Sequence, residues 1–294
     1  MALRSPSAKD ARRRWKSKKA KHDGVGALVA GQISCRGSVT SCAQAESKRR
    51  LCCTGGALFF YHQLGIATAL SEQGIDLSQA RYVGASAGSL TAVLCRCGVD
   101  FNTVVRHAYE LALRQNVYEK PLGLATVWGA LIREWLHDLL PDDAASRCSG
   151  SVRLLLCRAL PLPPKRLLVD EFKSKVDLVE ACMASCHLPF FLNGYPLKRW
   201  RGSLCIDGSL FARSEVVAQQ DVLDEGDNAV LVNPYADPWV LERKRSFLRL
   251  TTLDGLFEMV ERGREFTLEE SETGVSGHRQ QHHGSTTSER HKAV

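Results

Sequence analysis

No run in this chain approaches the ~18 consecutive apolar residues of a membrane-spanning helix, and Met1–His22 lacks the apolar core of a secretory leader. These absences predict an intracellular, cytoplasmic protein, at most peripheral to a membrane. A plastid address is the alternative, because the N-terminal arm is basic and carries serine, although Asp10 and Asp23 interrupt that pattern. No Cys-x-x-Cys pair occurs among the 11 cysteines (Cys35, Cys42, Cys52, Cys53, Cys95, Cys97, Cys148, Cys157, Cys182, Cys186 and Cys205). An odd number without that spacing argues against both a zinc site and a disulfide framework. Reduced thiols packed as small apolar residues are expected instead. No Gly-Lys-Ser/Thr follows a glycine loop, so a nucleotide-phosphate cradle of that kind is not expected. There is no internal repeat.

What the chain does have is concentrated charge. Of a net +7, residues 1–22 supply nine Lys/Arg against Asp10. Such an arm attracts anionic lipid at about 1 kcal/mol per basic residue near the surface. It equally suits a nuclear-import address, loose nucleic-acid contact without a specific nucleic-acid partner, or a plain solvated arm. The 294 residues, 44% apolar, exceed what one core needs. The expected domains are a basic, disordered arm over 1–47, one catalytic domain over 48–265, and a polar, disordered tail over 266–294.

Within 48–265, strand-like and helix-like patterns alternate. Arg50–Thr54, Tyr82–Val83, Val152–Leu156, Arg166–Val169, Leu204–Ile206 and Ala229–Val232 read as short buried strands. Helical spacing covers Leu58 to about Gln73, with Gly74 as its C-terminal cap, then Leu90–Leu94, Asn102–Tyr118 and Leu124–Leu140. Ser174-Lys175-Val176-Asp177 resembles a capping box opening a helix to Cys186. Pro161-Leu162-Pro163-Pro164 reads as a rigid connector. Alternation of this kind predicts an α/β layered fold with a mostly parallel sheet.

Two glycine-rich turns sit in this frame. Gly84-Ala85-Ser86-Ala87-Gly88 lies between a strand and a helix, the setting of a nucleophile elbow. Bulky side chains at Gly84 or Gly88 would collide with the neighbouring backbone at so tight a bend. Upstream, Gly55-Gly56-Ala57 follows a strand and opens a helix, which presents free backbone N–H groups to an anion. In acyl transfer that anion is the oxyanion of a tetrahedral intermediate. Further along stands Asp207-Gly208, which in isolation is a plain turn.

Taken in order and spacing, the glycine loop running to Gly65, the Gly-x-Ser-x-Gly elbow and the Asp-Gly pair resemble the patatin-like phospholipases. Ala181-Cys182-Met183-Ala184-Ser185-Cys186-His187-Leu188-Pro189-Phe190 is similar to that family's helix and proline turn before the aspartate strand. The resemblance covers roughly residues 48 to 265 and implies a three-layer α/β/α fold. One departure is Ala57, where the family carries glycine. If that position needs φ > 0, alanine costs on the order of 1 kcal/mol.

The resemblance implies a lipid acyl hydrolase of triacylglycerol-lipase or phospholipase A type, working on glycerolipid at a membrane or lipid-droplet surface without cofactor or metal. Ser86 is then the nucleophile and Asp207 its proton acceptor, with oxyanion donors at Gly55, Gly56 and Ala57, elbow glycines Gly84 and Gly88, and Gly208 in support. Independently of it, a triad in this chain order needs a histidine after its acid. The histidines beyond Asp207, namely His278, His282, His283 and His291, lie in a polar tail. His62, His107 and His137 sit in helical stretches and read as structural. His187 keeps open a conventional Ser-His-acid esterase. An idle lipid-binding scaffold is the other rival. Phe59, Phe60 and Tyr61 are candidate apolar residues for drawing in an acyl chain, with core packing expected for at least one of them.

Overall fold

The computed structural model describes residues 49–210 and 229–281. The expected arm over 1–47, with Cys35 and Cys42, lies outside the described residues, as do 282–294. Among the described residues, seven strands make one sheet. Its central part is β1 (Arg50–Cys53), β2 (Arg81–Ala85), β3 (Val152–Leu160) and β7 (Ala229–Val232), which run parallel in the order β3-β2-β1-β7. Leu51, Cys52 and Cys53 are all buried, as expected of a strand covered on both faces. An antiparallel part follows: β4 (Lys165–Val169) and β6 (Ser203–Asp207) pair with β3, and β5 (Lys198–Trp200) pairs with β6. The α/β class with a central, mostly parallel sheet is the one expected.

One feature of pairing positions everything that follows. β2 pairs with Val152–Leu155 of β3, while β6 pairs with its Leu156–Leu160 half. β4 runs along Leu154–Arg158. A strand has only two hydrogen-bonding edges, so β4 occupies one and β2 and β6 share the other. Those two strands approach each other end to end. Ala85 finishes β2 opposite Leu155, and Asp207 finishes β6 opposite Leu156.

The helices follow the expected pattern with local shifts. A 3-10 turn, Ala57–Phe59, leads into α1 (Phe60–Glu72). Gly74, at φ +88°, ends it, donating to Ser71 O while Ile75 N–H reaches Leu70 O. α2 (Ala87–Cys97) stops at left-handed Gly98. α3 (Phe101–Arg114) ends earlier than expected, and α4 (Trp128–Leu139) starts later. α5 (Ala144–Cys148) and β5 carry no clear sequence signal, being five and three residues long. Ser174 caps α6 (Lys175–Ser185), its Oγ accepting from Asp177 N–H at 3.2 Å. The proline stretch 161–164 joins β3 to β4 in an exposed turn.

α7 (Pro238–Glu242) precedes α8 (Leu253–Gln281). α8 corrects the expected tail, because residues 266–281 are helical. Thr267 is buried and Phe266 stacks 6.1 Å from the His62 ring. Polar outward positions hide the short apolar stripe by which this helix packs on α1. Two glycines set the crossing: a Cβ on Gly65 would fall 1.8 Å from Val260 O, and one on Gly263 would fall 2.0 Å from His62 O. The nine described cysteines are buried and form no disulfide. Among the described residues no helix is long and apolar enough to cross a membrane.

Candidate active site

The turn at 84–88 has the geometry its glycines imply. Ser86 sits at φ +54°, ψ −127°, a region closed to most L-residues, with a cost of order 1–3 kcal/mol. A Cβ on Gly84 would stand 2.4 Å from Gly88 O, and one on Gly88 would stand 2.1 Å from Cys53 O. Both positions therefore exclude side chains, and their absence lets β2, β1 and α2 close around the serine. Ser86 N–H is held by Ser185 Oγ at 3.0 Å, and that hydroxyl donates onward to Leu155 O at 2.8 Å.

The end-to-end approach of β2 and β6 brings Asp207 to this turn. Ser86 Oγ donates to Asp207 Oδ2 at 2.6 Å, across a sequence separation of 121. Asp207 Oδ1 accepts two further bonds, from Ser209 N–H at 2.8 Å and from Ser209 Oγ at 2.6 Å. The carboxyl is fully buried, and burial pushes its pKa above the ordinary carboxylate value, against the pull of those hydrogen bonds. Gly208 has no room for a side chain, since a Cβ there would lie 2.1 Å from Leu155 O. Its N–H donates to Ser185 O at 3.2 Å.

The loop at 55–57 lies against the same pair. A Cβ on Gly55 would come 3.4 Å from Ser86 Cβ and 2.9 Å from Ser209 Oγ. Gly56 is extended, at φ 178°, whereas Ala57 is left-handed, at φ +49°. Alanine therefore does occupy a glycine-type conformation. Among the described residues, the N–H groups of Gly55, Gly56 and Ala57 donate to no protein acceptor, while Thr54 N–H and Leu58 N–H on either side are satisfied by Val232 O and Phe247 O. Ala87 opens α2 immediately after Ser86, and the first N–H groups of a helix have no intrahelical partner.

Other expected residues fall elsewhere. The His187 ring reaches Tyr195 O through Nε2 at 3.2 Å, its Nδ1 has no partner, and burial pushes its pKa down. Only the His187 backbone meets the site, its carbonyl accepting from Asp207 N–H at 2.9 Å. Phe59, Phe60 and Tyr61 are all buried, which corrects the expectation that they face a lipid chain. Phe59 and Phe60 pack edge-on against Tyr235 and Trp135, because the helix they open is covered on every side. Leu210, beside Asp207, is the half-exposed apolar residue there. Sequence reasoning gave no role to Ser185 and Ser209. Nothing in a lone serine marks it, although Ser185 lay within the quoted helix and Ser209 directly follows Asp-Gly.

The family model described as patatin-like phospholipase matches residues 51–216. An omega-hydroxyceramide transacylase of Mus musculus is 29% identical over 159 residues, covering 53% of this chain and 26% of that protein. A 1-acylglycerol-3-phosphate O-acyltransferase of Mus musculus is 31% identical over 160 residues, covering 53% of this chain and 37% of that protein. The match thus spans 26% and 37% of the length of those two curated relatives.

Proposed function

The chain belongs to the patatin-like phospholipase family, whose members hydrolyse or transfer lipid acyl groups, and from that premise we propose that it is a serine acyl hydrolase of glycerolipid esters using Ser86 and Asp207. The observation that carries this reading is the 2.6 Å bond from Ser86 Oγ to a buried Asp207. As Oγ attacks the ester carbonyl, its proton passes to Oδ2, and the carbonyl oxygen becomes an oxyanion. The loop N–H groups at Gly55, Gly56 and Ala57 stabilise that charge, a contribution of several kcal/mol in enzymes of this kind. The leaving alcohol takes the proton from Asp207 and departs, leaving an acyl ester on Ser86. Water then attacks under the same base and releases the fatty acid. A raised carboxyl pKa suits this work, because an ordinary aspartate is a weak base at neutral pH.

A second reading, that an alcohol rather than water takes the acyl group, is favoured by the names of the relatives, a transacylase and an acyltransferase. The esterase built on His187 has less support, because that ring is turned to Tyr195 O. The basic arm is proposed to hold the enzyme at an anionic lipid surface.

Ser86→Ala and Asp207→Asn are each expected to abolish ester hydrolysis while the fold survives, with the double variant losing no more than either single one, since groups acting as a unit are non-additive. A fluorophosphonate should label Ser86 with or without a chelator. Turnover across triacylglycerol, phospholipid, galactolipid and a short-chain ester, with and without an added alcohol acceptor, assigns substrate and acceptor. Asp207→Asn activity within about tenfold of the parent would sink the reading, because loss of a required catalytic base costs far more.

A further inference from the structure

Asp207 folds its carboxyl back onto Ser209. The bond from Ser209 N–H to Oδ1, at 2.8 Å, is an Asx-type turn that any residue other than proline makes. The bond from Ser209 Oγ to the same oxygen, at 2.6 Å, belongs to the side chain alone. Two donors thus occupy Oδ1 while Oδ2 takes the Ser86 proton at 2.6 Å. The hydroxyl also stands against the oxyanion loop, 2.9 Å from where a Gly55 Cβ would lie.

We propose that the Ser209 hydroxyl is a positioning group that locks the Asp207 carboxylate with Oδ2 toward Ser86 and favours its ionised form; this rests on the Ser86–Asp207 reading above. Two physical effects are involved. A two-donor clamp on one oxygen fixes rotation about the Cβ–Cγ bond, so Oδ2 is already aligned when Oγ attacks. A donor to a carboxylate also stabilises the charge, and here it opposes the burial that pushes Asp207 up. No lysine or arginine contributes to Asp207 among the described residues, so hydrogen bonds are what offset burial. Among the described residues, Cys186 and His187 are titratable neighbours of Asp207. Burial, reinforced by Asp207 itself, keeps the Cys186 thiol well above its ordinary value, and burial lowers His187, whose ring bonds Tyr195 O.

The test uses the full chain with Ser209→Ala and Ser209→Gly, both of which keep the backbone turn and remove the hydroxyl. Fluorophosphonate labelling of Ser86 and kcat/KM on a short-chain ester are followed against pH, with thermal melts to verify folding. The acid limb should move up by about one pH unit in both variants, the size expected for loss of one charge-assisted hydrogen bond. An unmoved limb beneath a lowered plateau would reduce Ser209 to a structural residue and overturn the proposal. Asp207→Asn separates the two levels of the argument. If it labels at the parental rate, the reading of the pair fails; if it is dead while the Ser209 limb stays put, only the positioning role fails.

Discussion

At Ala57 the backbone adopts φ +49°, which costs an L-residue about 1–2 kcal/mol relative to the right-handed region, and it does so at the third place of the loop beside Ser86. Ala57→Gly should relieve that strain. Turnover of a soluble short-chain ester is expected to rise while lipid affinity stays the same, and the melting temperature should increase by roughly 2–4 °C per kcal/mol recovered. A fall in both would show that the Ala57 methyl packs where glycine leaves a void. Asp237 is the second fully buried aspartate among the described residues, and its electrostatics run the other way. Burial alone would raise it, yet hydrogen bonds from His62 and Arg262 hold its pKa below the ordinary value. A depressed carboxylate stabilises the fold above its unfolded pKa and loses that contribution as pH falls through the folded value. Asp237→Asn should therefore cost on the order of 3 kcal/mol at pH 7, with the gap to the parent narrowing below about pH 4, as read from urea midpoints.

Among the elements, α1 and α8 cross at close range. Gly65 and Gly263 let the two backbones touch, and Asp237, which opens α7, joins His62 of α1 to Arg262 of α8 through bonds of 2.9 Å. Gly263→Ala would drive a methyl into His62 O and push α8 away, a change on the order of 3 kcal/mol, or roughly 6–12 °C in melting temperature for a domain of this size. Gly74→Ala serves as the control: nothing lies within 4 Å of a Cβ there, so its cost is the backbone strain of φ +88° alone. Equal losses in the two variants would mean that α8 does not need close approach. α6 has a different role, since Ser185 at its end ties Ser86 N–H, Leu155 O and Gly208 N–H into one knot beneath the site.

For the whole molecule, the proposed chemistry lies within the family match over 51–216, and the proposed lipid recruitment lies in the basic arm of residues 1–22. Deleting residues 1–22 is expected to leave short-chain ester turnover unchanged. Binding to anionic vesicles should weaken and its salt dependence flatten, because counter-charge near the surface is screened within about 8–10 Å at ordinary ionic strength. Vesicle binding that survives the deletion at low salt would return the arm to a solvated or targeting role. Loss of soluble-ester turnover would make it part of the fold.

Glycine spacing and apolar periodicity are short-range codes, and for that reason the turns at Gly84–Gly88 and Gly55–Ala57 and the alternation of buried strands with helices were legible in the sequence alone. The tight bend marks itself by its glycines, although the atoms that exclude a Cβ at Gly88 and Gly55 come from Cys53 and Ser209, far away in the chain. Strand register is a long-range property. That Ser86 meets Asp207 follows from β2 and β6 sharing one edge of β3, an arrangement no local pattern encodes across 121 residues. The same distinction explains the differences. Helix periodicity placed Phe59, Phe60 and Tyr61 on a helix, but only packing decided that all sides of that helix are covered. Polar composition marked residues 266–294 as a tail, and only the tertiary structure showed a helix continuing to Gln281, with Phe266 against the His62 ring and Thr267 buried. Ser185 and Ser209 carry no signature in one dimension, because a hydroxyl acquires a role from the partners that tertiary structure brings within about 3 Å of it.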